Sequence, residues 1–337
     1  MMNKRLKQGS TFLLAVALTF PLLTLPGAKA AIAIDTDAEC SIEFDISGNS
    51  SELLSASIPV NLYKVASVDV SGNYTVTDAF TGLDLSSVSA DDLDAAAATW
   101  AERAAEAKKL LKDDTEPTTV TLTQGRGTAT GLKTGLYLVD TPKVITPNYT
   151  YTFTPYLVSL PTNNYYSGND ASDDWIYDLT KEMNSAVGLK PEEHVRYGNL
   201  VINKELVDHN ATFGDEATFV FQIDITTLDK KTETRIEELT FSAAGNDSVT
   251  IKKIPAGSKV VVKEIYSGAS YKLTSANDVT ATIVANDEKE AGQVGETAVV
   301  SFTNEHDGRT NGGYGVKNNF KLDKNNQYQY TEPAATD

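Results

Sequence analysis

The chain has 337 residues, with 29 basic and 46 acidic side chains and a formal net charge of -17. This length predicts about one to three domains, and the acidic balance argues against nucleic-acid or anionic-membrane binding, which needs clustered Lys and Arg. One cysteine excludes an internal disulfide framework and a Cys-cluster metal site. Three histidines leave little room for a histidine-based catalytic or metal centre. We therefore expect no cofactor.

The N-terminus has the three-part pattern of a secretory signal peptide. Basic residues at the start precede the apolar stretch 11–25, and Ala28-Lys29-Ala30 forms a small-x-small cleavage site. The apolar stretch is too short for a stable membrane span. We predict that residues 1–30 are removed on export and that the mature chain is secreted without a membrane span.

Residues 31–184 are predicted to form a first domain made mainly of strands. Apolar and polar residues alternate over 40–46, which is typical of a half-buried strand. The Ala-rich segment 90–113 has acidic residues at its start and lysines at its end, as the helix dipole favours. Further strand signals lie at 58–65, 118–123, 135–141 and 150–160. This pattern predicts a β-sandwich with one inserted helix.

Residues 185–198 contain Gly188, Pro191 and Gly198, a composition that indicates an interdomain linker. The segment that follows, 199–305, has short strand signals at the spacing of a β-sandwich. These signals are 200–206, 216–225, 236–242, 247–253, 258–266, 270–274, 279–284 and 296–304. A Gly- and Asn-rich extension, 306–337, ends the chain. The predicted fold class is all-β, with two tandem β-sandwich domains.

Three polar side chains in the second domain fall where the alternation predicts buried ones. Lys204, Glu264 and Asn304 each continue the apolar face of their strand. Burying an unpaired polar group costs on the order of 2–7 kcal/mol, and an unpaired charge costs more. Three such residues in one domain indicate that they meet in its core.

Burial favours the neutral forms of lysine and glutamic acid. A neutral Lys204 amine could attack the Asn304 amide while protonated Glu264 donates to the amide oxygen and shuttles protons. Ammonia would leave and a Lys–Asn amide would remain, with apolar neighbours such as Phe219 and Phe302 excluding water. The alternative is a buried Lys204–Glu264 ion pair in which Asn304 caps the strand end.

The second domain resembles the CnaB-type immunoglobulin-like domains of Gram-positive surface proteins. The motifs that carry the resemblance are VINKEL, FVFQI, IPAGSKVVVKE and SFTN, within residues 199–305. The resemblance implies a self-generated isopeptide bond between Lys204 and Asn304, assisted by Glu264 as the catalytic acid. Such a crosslink forms in a single turnover, so the chain is not expected to be an enzyme.

The first domain resembles the N-terminal domain of Gram-positive major pilin subunits. The motifs are IPVNLYKVASVDVSGNY, TGLYLVDTP, YTFTPYLVSLP and W-x-Y-D-L. Aligning CSIEFDI with LVINKEL puts Phe44 at the position of Lys204, and the region matching Glu264 reads Asp140-Thr141-Pro142. We therefore expect no isopeptide bond in this domain.

In pilins, a lysine near the domain junction attacks the sortase-bound C-terminus of the next subunit. The resemblance implies Lys190, in GLKPE, as this acceptor, with Lys181 as the second candidate. If the full-length protein has a sorting signal, the implied partners are other pilin subunits and a class C sortase. Because the chain ends QYTEPAATD, without the LPxTG-like signal of the family, we expect either a truncated chain or a protein that is not itself a sortase donor.

The sequence thus predicts an extracellular structural subunit of a fimbrium on a Gram-positive cell wall. The first alternative is an adhesin, a binding module on the same scaffold with a host-surface ligand, which the missing sorting signal favours. The second alternative is a secreted enzyme. It is weakened because the sequence carries no catalytic motif such as GxSxG or HExxH.

Overall fold

The computed structural model divides the chain into two compact units, Met1–His194 and Val195–Asp337. The structure describes residues 33–86, 93–162, 175–180, 187–213, 216–286, 296–309, 319–322 and 328–331. The predicted signal peptide, 1–30, and Lys181 lie outside these residues. Within these ranges, no helix is both long and apolar enough to cross a membrane.

The described part of the first unit contains strands β1–β11 and helices α1 and α2. Their bounds are β1 Glu39–Asp45, α1 Ser51–Leu54, β2 Ile58–Val68, β3 Tyr74–Val76, α2 Leu93–Leu110, β4 Thr118–Leu122, β5 Arg126–Lys133, β6 Gly135–Asp140, β7 Val144–Ile145, β8 Tyr149–Phe153, β9 Tyr156–Leu160, β10 Asp178–Leu179 and β11 Pro191–Val195.

The first unit packs a three-stranded sheet, in the order β10-β1-β5, against a larger sheet built around β2 and β6. Apolar residues of both sheets, among them Phe44 and Leu62, form a shared core. A further sheet, β11-β8-β7, contributes Tyr151 to this core. Side chains alternate across a strand, so β1 buries one face and exposes the other.

Helix α2 covers the other face of the larger sheet. Trp100 and Ala104 of the helix pack with Leu136 and Leu138 of β6 in a second core. As a result, the first five residues of β6 are all buried, as expected for a strand covered on both faces. The Ala-rich composition of α2 allows this close packing against the sheet.

The described part of the second unit contains strands β12–β21. Their bounds are β12 Tyr197–Leu206, β13 Ala217–Thr226, β14 Thr232–Phe241, β15 Gly245–Pro255, β16 Lys259–Tyr266, β17 Tyr271–Leu273, β18 Val279–Thr282, β19 Ala298–His306, β20 Asn319–Leu322 and β21 Tyr328–Thr331.

Two four-stranded sheets, β15-β12-β19-β17 and β14-β13-β16-β18, form the second sandwich. Their inner faces share one apolar core that includes Ile202, Phe219, Val262 and Phe302. Strand β13 alternates strictly between buried and half-buried positions. The first strand, β12, pairs in parallel with the last strand of the sandwich, β19. In the C-terminal extension, β20 and β21 pair as an antiparallel two-stranded sheet.

The all-β fold with two tandem sandwich units and an inserted helix is confirmed. The structure differs from the prediction for 185–198, because this segment includes β11 and the start of β12 rather than only a linker. Pro191 is the first residue of β11, a position where the missing N–H is tolerated. The predicted strand 150–160 is two strands that belong to different sheets and separate around Pro155.

Candidate functional site

Lys204, Glu264 and Asn304 lie together in the core of the second unit. Their relative exposures are 1%, 6% and 0%, so they are as buried as the apolar residues around them. The side chains of Lys204 and Glu264 are fully covered. We call these three residues the buried triad.

Strand register explains how the triad assembles. In the parallel pairing of β12 with β19, Lys204 stands opposite Phe302 and Leu206 opposite Asn304. Lys204 and Asn304 are therefore two register positions apart on neighbouring strands and point to the same face. Glu264 comes from β16 in the opposing sheet, where it follows the buried Val260 and Val262. The triad joins the first strand, the last strand and the facing sheet.

Direct contacts connect all three side chains. The Lys204 ammonium Nζ donates a hydrogen bond to Asn304 Oδ1. Asn304 Nδ2 donates to Glu264 Oε1 at 2.6 Å. Glu264 Oε2 lies 3.2 Å from Lys204 Nζ, although the geometry there is not that of a directed hydrogen bond. The carboxyl group therefore contacts both the Lys204 amine nitrogen and the Asn304 amide nitrogen.

One detail differs from the sequence expectation. We predicted that Glu264 donates to the carbonyl oxygen of Asn304, whereas Glu264 contacts the amide nitrogen and Lys204 contacts the oxygen. The reason is the location of the carboxyl group, which lies in the sheet opposite both Lys204 and Asn304. From there its two oxygens can each meet one nitrogen.

Aromatic rings enclose the triad. Lys204 Nζ lies 4.4 Å from the centroid of the Phe219 ring. The rings of Phe221 and Phe302 pack with centroids 5.2 Å apart, and all three rings are buried. These side chains exclude bulk water from the amine and the amide.

Burial lowers the pKa of the Lys204 ammonium below its ordinary value, and the neighbouring Glu264 carboxylate opposes this shift. A lowered pKa makes the neutral, nucleophilic amine more accessible. The site therefore holds an amine with weakened proton affinity, a primary amide in contact with it and a carboxyl group between their nitrogens. Chemically, this arrangement can carry out transamidation.

The first unit holds no comparable cluster among its described residues. Phe44, at the position matching Lys204, is fully buried in the apolar core. Asp140, in the region matching Glu264, is half-buried, and its carboxylate accepts a hydrogen bond from Lys108 of α2 at 2.6 Å. The Asp140 carboxylate therefore pairs with the helix that covers its sheet.

Lys190 is exposed and precedes β11 in the first unit. Its backbone carbonyl accepts a hydrogen bond from the Thr154 N–H at 3.2 Å, and its Nζ lies 5.9 Å from the centroid of the Tyr156 ring. Lys190 is therefore accessible to a reagent in solution while its backbone is held in place. The second acceptor candidate, Lys181, lies in a part of the chain that the structure does not describe.

A polar contact that sequence reasoning missed involves Asn277. Its side-chain amide makes hydrogen bonds with both the N–H and the C=O of Glu264. Asn277 is exposed in a loop, where asparagine is common. The sequence therefore carries no signal that separates it from an ordinary turn residue.

Comparisons with known proteins cover both units. Residues 200–307 match a family described as a domain of unknown function, DUF5979, and this range includes the whole triad. No curated protein matches the chain. Since the family match covers less than half of the chain, it describes the second unit and not the whole protein.

Several solved structures are similar to the chain at low identity. The major pilin of Streptococcus pyogenes is 9% identical with a TM-score of 0.26, covering 81% of this chain and 99% of its own. The minor pilin GBS52 of Streptococcus agalactiae is 16% identical with a TM-score of 0.23, covering 77% and 87%. The major pilin SpaD of Corynebacterium diphtheriae is 12% identical with a TM-score of 0.26, covering 81% and 99%. Because the sequence identities and TM-scores are low, the function has to be inferred from the residues of the chain itself.

Proposed function

We propose that this chain is a structural subunit of a Gram-positive cell-surface fimbria, and that an amide bond between Lys204 and Asn304 crosslinks its second domain. The observation that carries the proposal is the buried triad. An ionisable pair in an apolar core is costly, and a crosslink removes that cost because its product is neutral. The motifs of both domains, which resemble those of pilins and CnaB-type domains, support the same function.

The proposed reaction starts with a proton transfer from the Lys204 ammonium to Glu264 Oε2, which leaves a neutral amine. The amine nitrogen attacks Cγ of Asn304, and the new C–N bond forms as the old one breaks. Glu264 protonates the departing Nδ2 through Oε1 and takes up a proton from the attacking nitrogen. One neutral ammonia leaves, and Glu264 ends protonated because it keeps the one proton that it received from the Lys204 ammonium.

The location of the bond suits a load-bearing protein. Lys204 and Asn304 are 100 residues apart in the chain but lie on neighbouring parallel strands that begin and end the sandwich. Force applied at the two ends of this domain would pass along β12, across the bond and into β19. The strands between them would carry little load, so the domain would resist mechanical unfolding.

The same chemistry argues against an enzyme. Each chain supplies one lysine and one asparagine, and both are consumed when the amide forms. The triad is also closed to solvent, so no external substrate reaches it. The crosslink is thus a single event in the maturation of an extracellular, cell-wall protein.

Lys190 is the proposed acceptor through which subunits join. Its side chain is exposed and its backbone is held by a hydrogen bond from Thr154. A lysine that attacks the acyl-enzyme formed by a sortase needs both an accessible amine and a fixed position. The partners in this step are other copies of the subunit and a class C sortase.

The intact mass of the mature protein tests the crosslink. The wild-type chain should be lighter than its sequence by one ammonia, and Lys204→Ala and Asn304→Ala should restore the full mass. Glu264→Ala should fold but remain uncrosslinked. Asn203→Ala, at the exposed neighbour of Lys204, is the matched control and should keep the mass loss. An unmodified wild-type mass would contradict the proposal and leave the triad as a buried ion pair.

Cell-wall extracts test the fimbrial role. Extracts should give high-molecular-weight ladders that resist SDS, and Lys190→Arg should abolish them. Lys133→Arg, at an exposed lysine of the same unit, should not. A crosslinked monomer without ladders would instead favour the alternative, a binding module with a host-surface ligand.

A further inference from the structure

The pairing of strand β16 with strand β18 ends just before Glu264, the proposed catalytic acid. Strand β18 pairs only with Lys259–Val262 of β16, with Val262 opposite Val279. Continued antiparallel pairing would bring Asn277 opposite Glu264. Instead, Asp278 adopts a φ of 56°, in the left-handed region, and turns the chain away from the ladder. Within the part of the chain that the structure describes, no strand therefore covers this side of Glu264.

The side chain of Asn277 takes the place of the missing strand. Asn277 Oδ1 accepts a hydrogen bond from the Glu264 N–H at 2.8 Å, and Nδ2 donates to the Glu264 carbonyl at 3.3 Å. This is the exchange of two hydrogen bonds that a paired residue makes in an antiparallel ladder. On the other side of Glu264, the register with β13 shifts between Val220 and Phe221. The Asn277 amide thus fixes Glu264 where regular pairing is interrupted on both sides.

The same loop also contacts the strand of Asn304. Ser275 Oγ accepts a hydrogen bond from the Thr303 N–H at 3.1 Å, and the Thr274 N–H donates to the Thr303 carbonyl at 2.9 Å. Residues 274–277 therefore bond to β19 at one end and to β16 at the other. These two strands belong to different sheets, so the loop sets the spacing between the acid and the amide.

We infer that Asn277 is a positioning residue for the Lys204–Asn304 crosslink. It touches none of the reacting atoms and acts through the backbone of Glu264, whose Oε1 must stay within reach of Asn304 Nδ2. The inference rests on the proposed function, because it concerns the rate of that reaction. Since Asn277 is exposed, its removal leaves the apolar core intact.

The test is the rate of crosslinking in the full mature chain after a short pulse of expression, followed by intact mass over time. Asn277→Ala should slow the loss of ammonia by roughly tenfold to a hundredfold, because a displacement of about 1 Å at a reacting group can cost that much. Asn199→Ala is the matched control. Asn199 Oδ1 also accepts from a strand N–H, that of Lys253 at 3.4 Å, and its loss should leave the rate unchanged.

Two further variants separate positioning from stability. Asn277→Asp keeps the acceptor for the Glu264 N–H and loses the donor, so it should crosslink at an intermediate rate. In a Lys204→Ala background, where no crosslink forms, Asn277→Ala should shift the melting temperature no more than Asn199→Ala does. Equal crosslinking rates for wild type and Asn277→Ala, or equal slowing by Asn199→Ala, would overturn this inference alone. A wild-type chain that never loses ammonia would overturn the proposed function, and the inference with it.

Discussion

The first strands of the two units, β1 and β12, occupy equivalent places in their sheets. Each lies between one antiparallel and one parallel neighbour, β5 and β10 for β1, and β15 and β19 for β12. Phe44 and Lys204 both point into the core and are almost fully buried. In the first unit the parallel neighbour of Phe44 is Val187, whereas in the second the parallel strand carries Asn304.

The comparison shows that this topology does not require a polar residue at the position of Lys204. Phe44 and Val187 complete an apolar core in the first unit, while the second unit buries an amine, a carboxyl group and an amide. Replacing buried ion pairs by apolar residues is often neutral or stabilising. The fold therefore does not need the triad for its stability, and the contrast between the two units leads to four predictions.

The largest effect is expected from removal of the proposed crosslink. By analogy with a disulfide, closing a loop of about 100 residues stabilises the native state by about 4.7 kcal/mol. Lys204→Ala and Asn304→Ala should each lower the free energy of unfolding of the second unit by this order and leave the first unit unchanged. Calorimetry of the full chain measures both transitions. If the unfolding transition of the second unit does not change in these variants, the two units differ in the residues of their cores but not in a crosslink.

Next in size is Phe44→Ala, which should destabilise the first unit by about 3–5 kcal/mol. Cys40, fully buried in the same core, is the probe. Burial raises the pKa of its thiol to about 11, against a smaller lowering by Lys64, so labelling requires the unit to open. We expect Cys40 of Phe44→Ala to react faster with thiol reagents than Cys40 of the wild type.

Heating the wild-type chain compares the stability of the two units. Cys40 of the first unit should react at a lower temperature than the one at which trypsin begins to cut the second unit. If both begin at the same temperature, the first unit is not the weaker one.

A smaller effect concerns pH. In Glu264→Ala the carboxylate that raises the pKa of Lys204 is absent, and burial, which lowers it from the ordinary 10.5, remains. The unfolded chain then binds a proton that the native lysine does not, so stability should rise with pH from the lowered pKa up to about 10.5. Each unit of pKa difference corresponds to about 1.4 kcal/mol. Urea unfolding across this range measures the slope, and Glu264→Ala with Lys204→Met should flatten it.

The smallest effect is expected at Asp140, in the first-unit region that matches Glu264. Its carboxylate pairs with Lys108, whose side chain is 45% exposed, and such pairs contribute from a few tenths to about 1 kcal/mol. Asp140→Asn should therefore shift the melting temperature of the first unit slightly, and the variant should still be lighter than its own sequence by one ammonia. Any other mass difference would contradict the expectation that the first unit forms no crosslink.

Much of the second unit follows from the sequence because alternation is a local signal. The predicted strand 200–206 corresponds to the C-terminal part of Tyr197–Leu206, and 258–266 corresponds closely to Lys259–Tyr266. Alternation also predicts that Lys204, Glu264 and Asn304 are buried, and all three are buried in the structure. The first unit was harder to predict in two places. Strand β11 follows a segment rich in turn residues and shows no period of two, and the predicted strand 150–160 is two strands that separate around Pro155.

For strands with one covered face, such as β12, β16 and β19, the amino-acid pattern alone predicts which side chains are buried, because the direction of a side chain depends on its parity along the strand. Which buried groups meet, and through which atoms, depends on the packing of the two sheets. The contact of Glu264 with the nitrogen of Asn304, and the Asn277 amide that stands in for a missing strand, join residues from separate strands and a loop. Such contacts depend on how the two sheets face each other, and no local pattern of residues encodes the distance between the sheets.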